Sequence, residues 1–378
     1  MKKREPHILY IITKLELGGA QKVCLNLFKK LRSEISTSLI SGNQGTLVKT
    51  LDDHSDVYLL SSLKREISFS SVFNEINNFY KLIKLIKKIH TQHPKLIVHT
   101  HSTKAGLLGR WAAFFAGVPI RVHTVHGFAF HDHQPKIIWL MIYFLELITS
   151  FITTHFIVVS SHDAKLGIKL FPHFYKKHSI IRAAVDEQRF IPAQKSSFSS
   201  NTIFTFGTIA CFKKQKNIID LLKAFERVHA KNPTTRLEII GDGHLRSEIE
   251  TWIQNHKLSH AIVLHGWQAN VTPFLYSWHT FVLSSLWEGL PCAIIEARMA
   301  KLPVVCYNTG GIHDVIFNYE NGILCRQKEW KTLAAAMLTI SKDASLYASL
   351  KNFNDNLEEY TLQSMVQQHK LLYKTFSK

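Results

Sequence analysis

Twice along the chain, short runs of β-branched and aromatic residues alternate with longer helix-like segments, and few architectures accept that order. Strands spaced in this way pair in parallel, because each parallel neighbour needs a crossover long enough to hold a helix. The first half has strand runs at 7–13 (HILYIIT), 36–41 (STSLIS), 95–102 (KLIVHTHS), 121–127 (RVHTVHG), 156–160 (FIVVS) and 179–184 (SIIRAA). Helix-like stretches at 20–31, 75–92, 104–116 and 136–151 lie between them. Periodicity stops at 191–201 (IPAQKSSFSSN), where a proline and four serines read as a linker. It restarts with strand runs at 203–210, 236–241, 261–266, 280–285, 303–308 and 322–325. The expected organisation is α/β, with two doubly wound domains (1–190 and 202–360) facing a cleft and a last helix at 361–378 packing back on the first domain. Ligands of such sheets bind beyond the carboxyl ends of the strands, so those loops are where chemistry is sought.

Composition narrows the function classes. With 46% hydrophobic and 20% charged residues over 378 positions, each domain can fill a core, which excludes a disordered chain. The five cysteines are scattered and form no CxxC pair, which argues against a disulfide framework or a zinc site and for a reducing compartment. The N-terminus imitates a secretion signal, but its apolar run, Ile8 to Ile12, ends before Lys14 and Glu16. Such signals need roughly 7–15 apolar residues. A formal charge of +18 calls for an anionic partner, and +13 of it lies in residues 1–190 against +5 in 191–378. Nucleic acid is not the partner expected, since no helix-turn-helix, zinc finger or aromatic RNP pattern accompanies the charge.

Several strand-to-helix turns carry candidate chemistry. In TFVLSSLWEGLPCAIIEARMAKLPVVCYNTGGIHDVI (280–316), Glu288 falls in a loop after a strand, Pro291 suits the first helical position, and Glu296 follows on the helix. Both carboxylates can accept hydrogen bonds from sugar or ribose hydroxyls, though a capping glutamate and a solvated face fit the pair equally well. Gly310 and Gly311 permit close approach of a phosphate to a helix start, or simply make a tight turn. Gly18-Gly19 and Gly241-Asp242-Gly243 follow strands too, and neither completes the dinucleotide fingerprint GxGxxG. Lys213, Lys214 and Lys216 can neutralise a diphosphate or stand as solvated loop charges. His101 and His126 follow strands of the first half, in a chain with 22 histidines. A metal centre from His123, His126, His131, Asp132 and His133 lacks a supporting spacing, and no metal is expected.

In order along the chain, LELGGAQKV, HTHSTKAGLLGR, VHTVHGFAF, IIGDG and WEGLPCAIIEARMAKLPVV resemble the corresponding segments of the retaining glycosyltransferases of family 4, the last as their E-x7-E signature. The resemblance implies the GT-B fold, two Rossmann-like domains with the acceptor on the first and the nucleotide sugar on the second. It implies Glu296 at the donor ribose, and Glu288 with Gly310, Gly311 and Ile312 at the donor sugar and diphosphate. Lys216 would meet the diphosphate, helped by Lys213 or Lys214. The donor set also takes in Gly18, Gly19, Gly241, Gly289, Leu290 and Pro291. His126 would lie near the anomeric centre, on the acceptor side with His101 and Lys104. Reaction on one sugar face, with the leaving diphosphate helping to deprotonate the acceptor, implies neither metal nor cofactor; the nucleotide sugar is a substrate. Three positions depart from the family pattern: Cys211 replaces the usual arginine, Ala183-Ala184 precede Val185-Asp186 where Asn-Gly is common, and His313-Asp314 shift the usual glutamate.

The activity so implied is transfer of a UDP-linked hexose or N-acetylhexosamine to a lipid-linked or cell-surface glycan, in the cytoplasm and peripheral on the inner face of the membrane. The oligomeric state is not legible. A nucleotide-sugar epimerase or hydrolase of the same fold is the alternative, and a basic nucleic-acid-binding protein the alternative from another class. Two segments bear on the membrane. The stretch 74–90 reads as a basic amphipathic helix that lies on anionic lipid or else as a core helix with a lysine-rich outer face. The run 137–160 is long enough to raise a spanning segment, but Glu146 and a change of pattern near Thr153 argue for a buried helix followed by a strand.

Overall fold

The computed structural model describes residues 6–51, 55–61, 63, 72–190 and 203–376. The 191–201 linker lies outside them. Two compact units result: one runs to Ala184 and takes up the chain again at Leu362, and the other spans Val185–Thr361. The division falls six residues before the boundary read from the sequence. Residues 185–190 are held by the second unit, where Val185 N–H donates to Tyr360 O (3.0 Å) and Arg189 Nη2 to Asn270 Oδ1 (2.9 Å).

The first unit contains β1 (His7–Ile12), α1 (Gly19–Leu31), β2 (Ser36–Ser41), β3 (Val57–Leu59), α2 (Val72–Gln92), β4 (Leu96–His101), α3 (Thr103–Phe115), β5 (Ile120–Val125), α4 (Lys136–Ile152), β6 (His155–Val158), α5 (Ser161–Leu170) and β7 (His178–Ile180). Its strands form one parallel sheet in the order β3-β2-β1-β4-β5-β6-β7. All six residues of β1 and of β4 are buried, as central strands covered on both faces must be.

The second unit contains β8 (Phe204–Ile209), α6 (Ile218–Lys231), β9 (Thr235–Ile240), α7 (Arg246–Asn255), β10 (Ile262–Gly266), α8 (Thr272–Ser277), β11 (Thr280–Leu283), α9 (Cys292–Met299), β12 (Val304–Tyr307), β13 (Gly322–Cys325), α10 (Trp330–Lys342) and α11 (Ala344–Asn352). Its sheet is also parallel, in the order β10-β9-β8-β11-β12-β13. Ile218, Leu221, Leu222, Phe225 and Val228 recur at helical spacing on α6 and bury its inner face in this core. Each unit is thus a Rossmann-like doubly wound layer, the fold class read from the alternation.

The last helix, α12 (Leu362–Thr375), belongs to the first unit. Leu362, Met365, His369 and Tyr373 are its buried residues, and Tyr373 Oη is bonded to Tyr10 (3.2 Å) on β1 and to His99 Nδ1 (2.6 Å) on β4.

Two helices bear on the membrane readings: α2 takes one of its two forms, and α4 departs from its expectation. On α2, Leu82, Ile86 and Ile89 are sunk in the core beside Leu9, Ile11 and Val98, so its apolar face packs on the sheet, while Lys81, Lys84, Lys87 and Lys88 face outward with Ile76 and Tyr80. Of the two forms read for this stretch, the core helix with a lysine-rich outer face is the one observed. On α4, expected to be buried, only Glu146, Thr149 and Ser150 are buried. Apart from Lys136, its polar residues point inward and most of its aliphatic ones outward. Among the described residues no helix is long and apolar enough to cross a membrane.

Candidate active site

The strand order of the second unit reverses between β8 and β11, so the loops beyond these two strands open the crevice where doubly wound sheets hold ligands. Beyond β8 the chain makes a 3-10 turn at Lys214–Lys216, and Asn217 (φ 47°) leads into α6. Beyond β11, Ser284 Oγ lies 2.9 Å from the carbonyl oxygens of both Lys216 and Asn217. Leu286 N–H donates to Gln215 O (2.8 Å), and Gln215 Nε2 donates to Trp287 O (2.7 Å). These bonds lace the two loops together.

The lacing sets Lys216 Nζ on Glu288 Oε1 in a charge-assisted hydrogen bond, with Gln215 Nε2 3.5 Å from the other carboxylate oxygen. The Lys216 side chain keeps 16% of its surface and the Glu288 side chain 8%, so the pair is shielded yet reachable. Of the three lysines in this turn, Lys216 makes this contact, whereas Lys214 is exposed and Lys213 half-buried.

The glycine turn after β12 closes on the same loop. Gly310 has φ 53°, and a Cβ there would lie 1.8 Å from Glu288 O. Gly311 N–H donates to Gly289 O at 2.7 Å. Backbone conformation and close approach both demand glycine at 310. Gly310→Ala should therefore push the Glu288 loop aside, losing ~1–3 kcal/mol of stability. Urea unfolding of the isolated variant checks it, and an unchanged midpoint would contradict the packing. Gly241 (φ 138°) is similarly placed, its missing Cβ 1.9 Å from Ala210 O.

The remaining donor candidates are distributed as follows. Gly289, Leu290 and Pro291 are buried, and Pro291 stands one residue before α9 rather than at its first position. Glu296 is buried on α9 at 5% exposure. Ile312 is wholly buried with its N–H on Thr309 O (3.2 Å), a support for the turn. Gly18 and Gly19 lie on the first unit, where α1 begins. Gly18 has an ordinary φ of −127°, and a Cβ there would meet only the Gln21 side chain, so local geometry does not demand glycine.

Gln215, Ser284 and the Asn217–Asp220–Tyr307 set were not singled out from the sequence. Asp220 Oδ2 accepts from Asn217 Nδ2 (2.7 Å) and Tyr307 Oη (3.0 Å), which ties the lysine turn to β12. Burial, reinforced by Asp220, pushes the Tyr307 phenol well up, so it stays a neutral donor.

In the first unit, His101 ends β4 and His126 follows β5, and their Nδ1 and Nε2 atoms are 3.0 Å apart. Burial first, then the neighbouring His99, His126 and His369, holds His101 well below the usual imidazole value. Burial and then His369 bring His126 to about 3. Both rings are neutral near pH 7, and two neutral imidazoles can bridge to an uncharged hydroxyl. Lys104 is half-buried in the first turn of α3. Among the described residues no three His, Cys, Asp or Glu side chains group so as to hold a metal ion.

Residues 17–189 match the family model described as Glycosyltransferase Family 4, and residues 191–357 match Glycosyl transferases group 1. The chain is 32% identical over 352 residues to the UDP-Gal:alpha-D-GlcNAc-diphosphoundecaprenol alpha-1,3-galactosyltransferase of Escherichia coli, covering 90% of this chain and 89% of that one. It is 24% identical to the capsular polysaccharide biosynthesis glycosyltransferase CapM of Staphylococcus aureus, over 90% of each. The crystal structure of Anabaena HepE in complex with UDP-glucose superposes with a TM-score of 0.80 at 17% identity, over 98% of this chain and 99% of that one.

Proposed function

The chain belongs to glycosyltransferase family 4, and we propose that it transfers a hexose or N-acetylhexosamine from UDP to a lipid-linked glycan, with retention and without a metal or resident cofactor. The observation that carries this reading is the laced turn of the second unit, where a cation, a carboxylate and a glycine turn meet beyond the strand ends. A diphosphate leaving group needs the cation, and sugar hydroxyls need the acceptors. The name of the E. coli relative, a transfer from UDP-Gal to GlcNAc-diphosphoundecaprenol, supports UDP as carrier and a polyprenyl-diphosphate glycan as acceptor.

In this reading Lys216 offsets the charge that grows on the diphosphate as its bond to the sugar carbon breaks, and Glu288 positions Lys216 while accepting from donor hydroxyls. Glu296 holds the ribose. Neutral His126 donates a hydrogen bond near the anomeric centre, with His101 and Lys104 on the acceptor side. The acceptor proton passes to the departing phosphate oxygen on the same sugar face. The charge of the first half supports a place on the inner face of the cytoplasmic membrane, peripherally held.

Incubation with labelled UDP-sugars and a polyprenyl-diphosphate glycan extract tests the reading, with label expected in the lipid fraction. Turnover of the nucleotide sugar at the same rate without acceptor would instead indicate an epimerase or hydrolase and overturn it. Glu296→Ala should weaken UDP affinity about 10- to 100-fold, the worth of one hydrogen-bonded charged group. Wild-type affinity by calorimetry would remove the ribose role.

A further inference from the structure

The outward face of α4 is apolar over its whole length. Ile137, Met141, Phe144, Ile148 and Phe151 follow one another at spacings of three and four residues and are 53–77% exposed. Seventeen residues of helix run about 25 Å, so the stripe is long and nearly straight. A helix packed for a soluble life turns such a stripe to the core. Here the polar residues take that place: Glu146 is paired with buried Arg110 at 2.8 Å, and Thr149 Oγ1 accepts from Trp111 Nε1 at 2.9 Å.

The apolar surface continues past α4. Trp111 packs against Phe114 and Phe115, whose ring centroids lie 5.9 Å away and which are 44% and 57% exposed. Phe115 meets Phe79 of α2 edge-on at 6.2 Å, beside exposed Tyr80. A basic border accompanies it. Arg121 lies 5.5 Å over the Phe114 ring and Lys84 4.6 Å over Tyr80, while Lys87 and Lys88 stand exposed on α2 and Lys136 opens α4. Glu146 is the one acid within α3 and α4, and it is buried.

We propose that this face of α4, with the α3 end and the lysines of α2, lies in the interfacial layer of an anionic phospholipid bilayer. Apolar side chains enter between headgroups while Lys and Arg heads reach the lipid phosphates. The charge selects the occupant: a second copy seated symmetrically on this face would bring the basic borders together, whereas anionic lipid neutralises them. The inference names the surface for the peripheral attachment proposed above and rests on that reading only for the acceptor being a lipid.

Flotation with vesicles of phosphatidylglycerol and phosphatidylethanolamine tests it, against pure phosphatidylcholine. The full chain should float with the anionic vesicles and fall off as salt rises. F144E/I148E should lose at least tenfold in partition with UDP affinity unchanged, and F144S/I148S, gentler on the helix, should lose in the same direction. Lys84→Ala with Lys87→Ala and Lys88→Ala should weaken the preference for anionic over neutral lipid. Flotation of F144S/I148S equal to that of the parent would overturn the proposal, as would a parent dimer that the same change converts to monomer while lipid binding persists. Lipid binding without any UDP binding would instead remove the donor reading and leave the surface standing.

Discussion

Lys216→Met is expected to lower kcat/KM for sugar transfer by about 10²- to 10³-fold, the usual cost of removing one positioned group that stabilises developing charge. The methionine keeps the stem of the side chain and removes only the ammonium. Its carboxylate partner is then left with Gln215 Nε2 at 3.5 Å and with the solvent that already reaches the pair. Stability should fall as well, by up to ~3 kcal/mol, because the Glu288 side chain keeps only 8% of its surface and loses its cation. A loss of kcat/KM measured on protein that remains folded, with UDP-sugar at saturation, separates a group acting on the diphosphate from a brace for the loop. Lys214→Met is the control, because that side chain is exposed in the same turn and should change kcat/KM by only about twofold. Equal losses at 214 and 216 would reduce the site to a diffuse basic patch.

The fold class was legible because parallel strands are written as apolar runs: six of the seven strands of the first sheet overlap a run read for them, five of them to within two residues at each end. The exception is β3 (Val57–Leu59), three half-buried or exposed residues at the sheet edge, too short and too wet to leave a run. The orientation of α4 was hidden for a different reason. A hydrophobic helix reads as buried, and the contacts of its polar residues, Glu146 with Arg110 and Thr149 with Trp111, show which side faces the protein. Arg110 comes 36 residues earlier, so spacing along the chain could not announce it.

The site was legible where function is carried by residue type and hidden where it is carried by backbone. Glu288, Lys216 and Gly310 could be singled out as an acid, a base and a glycine, and the structure joins the first two directly and places the third against the loop of the first. Gln215 and Ser284, which lace the loops, act mainly through carbonyl groups that every residue carries. The signal available was position: both occupy turns just beyond strands on either side of the switch point.

Mild acid is expected to unfold the first unit. His99, His101, His123, His126 and His369 are held below the ordinary imidazole value, each by burial first, with neighbouring imidazoles adding in four and Arg110 leading the charges around His123. Folded, they bind fewer protons than the unfolded chain once pH falls below ~6.5. Their contribution is therefore intact above that value and is lost on the way down towards the folded values, about 4 for His369 and about 3 for His126. Each such group costs ~1.4 kcal/mol per pH unit in that window, so five acting together cost ~7 kcal/mol per unit, against a total stability of ~5–15 kcal/mol. The cluster has little capacity to adapt: the Nε2 atoms of His101 and His369 are buried without a hydrogen-bond partner, and Tyr10 and Tyr373 are the phenols packed beside them. Since α12 presents His369 and Tyr373 to β1 and β4, its docking should fail with the cluster. Near-UV dichroism followed from pH 7 to 4 should show a steep transition at roughly pH 5 to 6, taking up several protons. Replacing His369 by glutamine should flatten it by about one proton. A signal unchanged down to pH 4 would mean that the rings are solvated or already charged, and would also remove the neutral His101–His126 pair on which the acceptor side depends.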